Sequence, residues 1–265
     1  MDRLTPNPYT LLHVESGRHL YGGALQVQYL LEGLAARGHR NILVCPEDSA
    51  IAGAAREVAT VYALPMGGDL DWRFVGRLRR LIRAERPDLV HLHSRRGADT
   101  LGGLAARLEG VPTLLTRRVD NPEPRWWVGL KYRLYDHVVT ISEGIRQVLL
   151  AEGLAPERVT CVHSAVDTER YRPGCDGEWF RREFGLAEGE PAVGVVAQLI
   201  ERKGHRTLLD ALPRVVEANP DLRVLLFGQG PLREELEAKV HTDGLEGAVT
   251  FAGFRDDLER VLPCL

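Results

Sequence analysis

Three short glycine-containing stretches hold the residues whose types and spacing could do chemistry. Gly22 and Gly23 lie in the loop Leu20-Tyr21-Gly22-Gly23, between the apolar run YTLLHV and a helix-patterned segment. Glycines there let a ligand approach the backbone, and the following helix start offers unpaired N–H groups to a phosphate. A plain tight βα turn accounts for that loop equally well. The second stretch, Glu201-Arg202-Lys203-Gly204, follows an apolar run and opens another helix. Ligands of open α/β sheets gather outside the carboxyl ends of the strands, where a lysine beside a helix start suits a diphosphate. Taken alone, this charge cluster reads better as a solvated turn. The third, Gly228-Gln229-Gly230-Pro231, again clears space after a strand, with a proline suited to helix initiation. No stretch completes G-x-G-x-x-G: Gly17 is too far upstream, and Ala24-Leu25-Gln26 follow the first glycine pair. A nicotinamide dehydrogenase is therefore disfavoured.

Other side chains suggest partners rather than catalysis. His91 and His93 flank Leu92 at the end of a strand. One of them is expected to face helix packing and the other, His93, the ligand side. Trp126 and Trp127 stand among Arg125, Lys131 and Arg133. Indoles beside cations suit a bilayer interface with anionic lipids; two indoles packing a helix onto a sheet fit equally well. The arginine-rich stretch Arg77–Arg86 adds modestly to the membrane side. Lys and Arg number 34 against 37 Asp and Glu, a net charge of −3, which argues against a general nucleic-acid binder. Residues 72–133 nevertheless carry 14 basic against 6 acidic side chains, a surplus of +8 that leaves −11 elsewhere. That asymmetry suggests an anionic partner for the first half. The four cysteines (Cys45, Cys161, Cys175, Cys264) have no metal-ligand spacing, and no metal is expected. Their scatter reads as reduced thiols in a cytoplasmic protein rather than a disulfide framework. No apolar run approaches the roughly 20 residues that span a bilayer, and MDRLTPNPYT is not a signal peptide.

Short apolar runs alternating with helical patterns must position these groups. Strands are expected at 9–14, 41–45, 60–66, 88–94, 112–117 and 137–142, and again at 159–164. Helices fall between them, as at 23–37, 71–85, 99–108, 126–135 and 143–152. After the turn-rich YRPGCDG and a short helix the pattern restarts, with strands at 191–199, 223–228 and 248–253. Strands joined by helices of this length imply parallel pairing in an α/β, doubly wound arrangement. Two domains result, 1–175 and 190–265, with the boundary between Tyr171 and Gly189. The second has about three strands, few for an open sheet.

The ordered set of a GG loop, ISEGIR, HSAVDTERYRP, VAQLIERKGHRTLLDAL, FGQGPLREELE and VTFAGFRDDL resembles the retaining family-4 glycosyltransferases of the GT-B fold. The resemblance runs from about Tyr9 to the last residue. It implies two Rossmann-like domains facing across a cleft and a UDP- or GDP-sugar donor. It further implies a cell-envelope glycan or lipid-linked acceptor, retention of configuration, and no cofactor or essential metal. Lys203 and Gly204 match the family's K-G at the donor diphosphate. Gln198 stands where the family has an arginine and can hydrogen-bond but not neutralise phosphate. Gly228, Gly230 and Pro231 match the loop near the nucleotide base, Gly22 and Gly23 the loop at phosphate or acceptor. Ser142 and Glu143 match an S-E turn at the cleft edge. Where many relatives place a catalytic-site histidine, this chain has Arg117 and Arg118, which with His93 make the candidate catalytic set. A guanidinium is no base at neutral pH but can hold a phosphate or polarise a leaving group. The family's front-face mechanism, in which the departing phosphate assists the acceptor proton, tolerates that change.

The resemblance also implies a C-terminally truncated chain, its second domain incomplete and the family's donor-binding carboxylate loop absent. Activity of these 265 residues is accordingly expected to be impaired. The alternative is a non-catalytic remnant or subunit that binds a nucleotide-sugar or partner without turnover. The expected location is cytoplasmic, peripheral at the inner face of the plasma membrane.

Overall fold

A computed structural model describes residues 8–93 and 97–265. The opening segment 1–7 and Ser94, with which the fourth expected strand closes, lie outside the described residues. The chain divides into two compact units, one ending at Ala165 and one beginning at Val166.

The first unit alternates β1 (Thr10–Val14), α1 (Gly22–Ala35), β2 (Arg40–Cys45), α2 (Ala50–Ala54), β3 (Thr60–Ala63), α3 (Trp72–Glu85) and β4 (Leu89–Leu92). It continues through α4 (Ala98–Leu108), β5 (Thr113–Arg117), α5 (Arg125–Lys131), β6 (His137–Thr140), α6 (Glu143–Ala151) and β7 (Val159–Cys161). The strands form one parallel seven-stranded sheet in the order 3-2-1-4-5-6-7, the doubly wound α/β class expected from the sequence. Alternation along each strand separates two apolar faces. Leu12, Val14, Val90 and Leu92 pack with Leu78 of α3 and Leu101 of α4. Leu43 and Cys45 face the other way, onto Val27 and Leu31 of α1.

α3 shows how local sequence fixes an element. Phe74, Val75, Leu78 and Ile82 form its buried stripe, and the Asp71 carboxylate caps its start by accepting from Phe74 N at 3.2 Å. It ends at Arg86, held left-handed at φ 47°, because Pro87 disfavours a further helical residue. Three of its arginines are held in ion pairs, while Arg73, Arg80 and Arg86 are exposed. Arg77 pairs with Asp71 at 2.5 Å, and Arg79 and Arg83 both reach Glu109, at 2.6 and 2.7 Å.

The second unit comprises α7 (Gly177–Phe184), β8 (Ala192–Val196), α8 (His205–Ala218), β9 (Arg223–Phe227), α9 (Arg233–Thr242), β10 (Val249–Gly253) and α10 (Leu258–Val261). Its parallel sheet has three strands, with β9 central. Leu209, Leu212, Leu236 and Val240 of α8 and α9 cover one face. Phe180 of α7 and Val261 of α10 pack on Leu225 and Phe227 of the other. The 171–189 stretch, taken above as a boundary, thus packs within the second unit.

The cysteine reading needs correction. Cys175, just before α7, and Cys264, just after α10, form a disulfide. Both helices pack on the same face of the second sheet, which brings cysteines 89 positions apart in sequence into bonding range. Cys45 and Cys161 remain thiols.

Candidate functional site

In the first sheet the chain leaves the neighbouring strands β1 and β4 in opposite directions across the sheet, and such switch points hold the ligand crevices of open α/β folds. A cavity of about 640 Å³ lies there, with Glu15, Gly17, Gly23, His93, Arg117 and Arg118 in its lining. The α1 N-terminus reaches this cavity at Gly23. Its cap residue Tyr21 makes no side-chain capping bond, and its first turn carries no acidic residue. The first-turn N–H groups and the positive end of the helix dipole are thus available to an anion. A Cβ on Gly22 would meet nothing within 4 Å, and one on Gly23 only the Arg118 side chain, Cδ at 3.5 Å and Nε at 4.0 Å. The fold does not require glycine at either place, so both keep space clear.

The structure separates the two arginines. Arg117 is buried and bound through all three nitrogens: its Nε donates to Val119 O at 3.0 Å, and its terminal nitrogens to the Glu123 carboxylate, Tyr132 hydroxyl and Asn121 carbonyl. Lys131 bridges the same Glu123, at 2.9 Å, and Asp99, at 2.7 Å. Arg117 therefore holds the cavity floor together. Arg118 keeps a buried Nε with no hydrogen-bond partner. Burial lowers its pKa and the Glu15 carboxylate opposes that effect.

His91 and His93 share one face of the sheet, and His93 is the one that lies on the cavity side. Both lie buried on the α1 side of the sheet, with ring centroids 3.8 Å apart and planes tilted by 40°, and of the two only His93 lines the cavity. Burial, followed by the neighbouring imidazoles and Arg118, holds the His93 pKa well below its ordinary value. Such a ring is neutral at pH 7 and too weak a base for general-base work.

Ser142 and Glu143 serve α6. The Ser142 hydroxyl accepts from Ile145 N at 3.3 Å as its N-cap, and Glu143 pairs with Arg146 at 2.9 Å. Lys131 leaves the membrane-facing set, because its ammonium is buried between Asp99 and Glu123. Trp126, 74% exposed, stays on the surface with Arg125 and Leu130, while Trp127 lines a second cavity of about 640 Å³ with Trp72, Asp69 and Thr100. The two cavities share Asp99 and Lys131.

The second unit gathers its own candidates at the carboxyl ends of β8 and β9. Lys203 is exposed in a single 3-10 turn, and Gly204, at φ 72°, opens α8. Gln198 is half-buried in the turn after β8. Gly228 and Gly230 answer to backbone packing: a Cβ on them would stand 2.0 Å from Ala197 O and 2.3 Å from Leu199 O. Pro231 lies two residues before α9, outside the helix. Sequence reasoning missed His205, buried in the first turn of α8 with both ring nitrogens unpartnered, and Glu15 beside Arg118. Glu15 follows β1 directly, as a signal for a strand-end group would.

Comparison with known proteins follows the same division. Residues 21–170 match the model for Glycosyltransferase Family 4, and residues 190–264 that for Glycosyl transferases group 1. A 2-deoxystreptamine glucosyltransferase of Streptomyces kanamyceticus is 31% identical over 200 residues, covering 66% of this chain and 51% of the relative. A GDP-mannose-dependent alpha-mannosyltransferase of Mycobacterium tuberculosis is 28% identical over 254 residues, covering 86% and 64%. The chain thus spans between half and two thirds of the length of these relatives. Among solved structures, Anabaena HepE in complex with UDP superposes with a TM-score of 0.81 at 18% identity, covering 96% of this chain and 72% of that one. At that identity the likeness concerns the fold.

Proposed function

We propose, from the premise that this chain belongs to glycosyltransferase family 4, that it moves a sugar from a UDP- or GDP-linked donor to a glycan or lipid-linked cell-envelope acceptor with retention. The observation that carries this reading is the uncapped α1 N-terminus, cleared by Gly22 and Gly23, beside the unpartnered Nε of Arg118. Preorganised N–H dipoles and a guanidinium stabilise the negative charge that develops on a departing diphosphate. Transfer needs no metal for that purpose. With His93 neutral and weakly basic, the acceptor proton passes to the leaving phosphate itself. Lys203 and the start of α8 hold donor phosphate, and Gly228 and Gly230 let the chain turn closely by the nucleotide. The adjoining cavity between Trp72 and Trp127 receives the acceptor.

Calorimetric titration with UDP and with GDP tests the donor half. One of them is expected to bind, and Lys203→Ala to weaken it about tenfold or more, the loss of one charge-assisted phosphate contact. Unchanged affinity removes Lys203 from the site, and no binding of either nucleotide removes the whole reading. Binding with no sugar transfer at all marks the non-catalytic alternative.

A membrane-linked acceptor calls for a chain that works at the inner face of the plasma membrane. Exposed Trp126 and Leu130 lie one turn apart on α5, flanked by exposed Arg125 and Arg133. No helix among the described residues is long and apolar enough to cross a membrane. Co-flotation with vesicles containing anionic lipid is expected, and Trp126→Ala should reduce it several-fold. Equal flotation of the variant would withdraw this contact.

A further inference from the structure

The histidine cluster beneath the cavity is left unused by the transfer reaction. His13 on β1 pairs in register with His91 on β4, and His93 follows two residues later on the same face. All three are buried, 1%, 7% and 3% exposed. His13 Nδ1 and His93 Nε2 lie 3.0 Å apart, and His91 Nε2 is 2.7 Å from the Thr116 hydroxyl. His93 Nδ1 is buried with no hydrogen-bond partner, and His13 Nε2 is buried with none of good geometry, the Asn41 side chain being the polar group that acts on His13. Such an orphan costs on the order of 1–3 kcal/mol in a folded protein and calls for a physical reason.

We infer that His13, His91 and His93 form a binding site for a divalent transition-metal ion of the zinc type. One nitrogen from each ring lies within 4.8 Å of the other two. Ligand nitrogens about 2.0–2.1 Å from a tetrahedral zinc ion stand roughly 3.3 Å apart, so small side-chain rotations close the site. An all-imidazole set favours zinc, cobalt or nickel over magnesium or calcium, which take oxygen ligands. The Thr116 hydroxyl holds the His91 ring through Nε2, the kind of outer partner that orients a metal-bound histidine. Of the charges that face the cluster, Arg118 opposes a cation, and the Glu15 carboxylate stands near Arg118. Of the three rings, His93 also lines the cavity. Such an ion ties β1 to β4 at the switch point. It is structural, so it does not conflict with transfer that needs no metal, and it does not depend on the identity of the donor.

The test uses the whole 265-residue chain, stripped with chelator and titrated with Zn²⁺ and Co²⁺. About one equivalent of zinc is expected to remain by elemental analysis after desalting, with a raised melting temperature and a tetrahedral Co²⁺ absorption spectrum. His13→Gln and His93→Gln should each weaken uptake at least tenfold, with folding checked by circular dichroism. His241→Ala, on exposed α9 of the second unit, should leave uptake unchanged. Failure of the wild-type chain to retain zinc overturns the site without any variant. Full uptake by both glutamine variants overturns it as well.

Discussion

Replacing Lys131 by methionine is expected to lower the stability of the first unit by about 3–5 kcal/mol, the usual cost of removing one partner from a buried ion cluster. The ammonium is 6% exposed and lies 2.7 Å from Asp99 and 2.9 Å from Glu123, whose side chains are themselves only 8% and 11% exposed. Without it two carboxylates would share a dry floor with the Arg117 guanidinium as their remaining cation. A urea denaturation midpoint measures the effect, and a loss below about 1 kcal/mol would show that water reaches and screens the cluster. The same cluster sets an acid limit. Burial raises the Glu123 pKa, but the contacts to Lys131 and Arg117 outweigh it, and the net shift is downward from 4.5. A carboxylate with a lowered folded-state pKa contributes stability that is complete above its unfolded value. That contribution is lost as pH falls through the lowered folded value. The first unit of the wild-type chain should therefore begin to weaken below about pH 4.5, and the methionine variant should weaken less steeply there.

Lys131 also shows where sequence ceased to be a guide. Its neighbours Arg125, Trp126 and Trp127 made it read as part of a basic rim. Its partners Asp99 and Glu123 lie 32 and 8 positions away, and the packing of α4 against the segment after α5 brings the first of them in. Elements themselves were legible, because buried parallel strands appear as short apolar runs and α1, α3 and α8 carry apolar residues at helical spacing. The glycines of Gly228-Gln229-Gly230 were found from their type, but their reason is the backbone of Ala197 and Leu199 from another loop, not a ligand alone. The disulfide was hidden for a related cause. Cys175 and Cys264 are far apart in sequence, and only the docking of α7 and α10 on one face brings them together. His91 and His93 could be placed on one face from their two-residue spacing. The third ring, His13, follows only from the order in which β1 and β4 pair.

Arg118→Ala is expected to weaken nucleoside diphosphate binding by about 1.5–3 kcal/mol, which is roughly 10- to 150-fold in Kd, while leaving the melting temperature within a degree or two. The asymmetry between Arg117 and Arg118 makes this test discriminating. Arg117 donates to Glu123, Tyr132, Asn121 and Val119, so its removal strands buried acceptors and should appear as lost stability. Arg118 has a buried Nε without a partner, beside the α1 N-terminus, and its removal takes away no hydrogen bond at that nitrogen. What it removes is a preorganised donor that a phosphate would complete. Lysine at 118 should restore part of the affinity, since it returns the charge but not the fork that holds two phosphate oxygens at once. Partial shielding from solvent also predicts a shallow dependence on salt for the wild-type contact, shallower than that of exposed Lys203. Equal UDP and GDP affinity in wild type and Arg118→Ala would detach the first-unit cavity from the donor. Donor recognition would then rest on the second unit, and the cavity would be left to the acceptor.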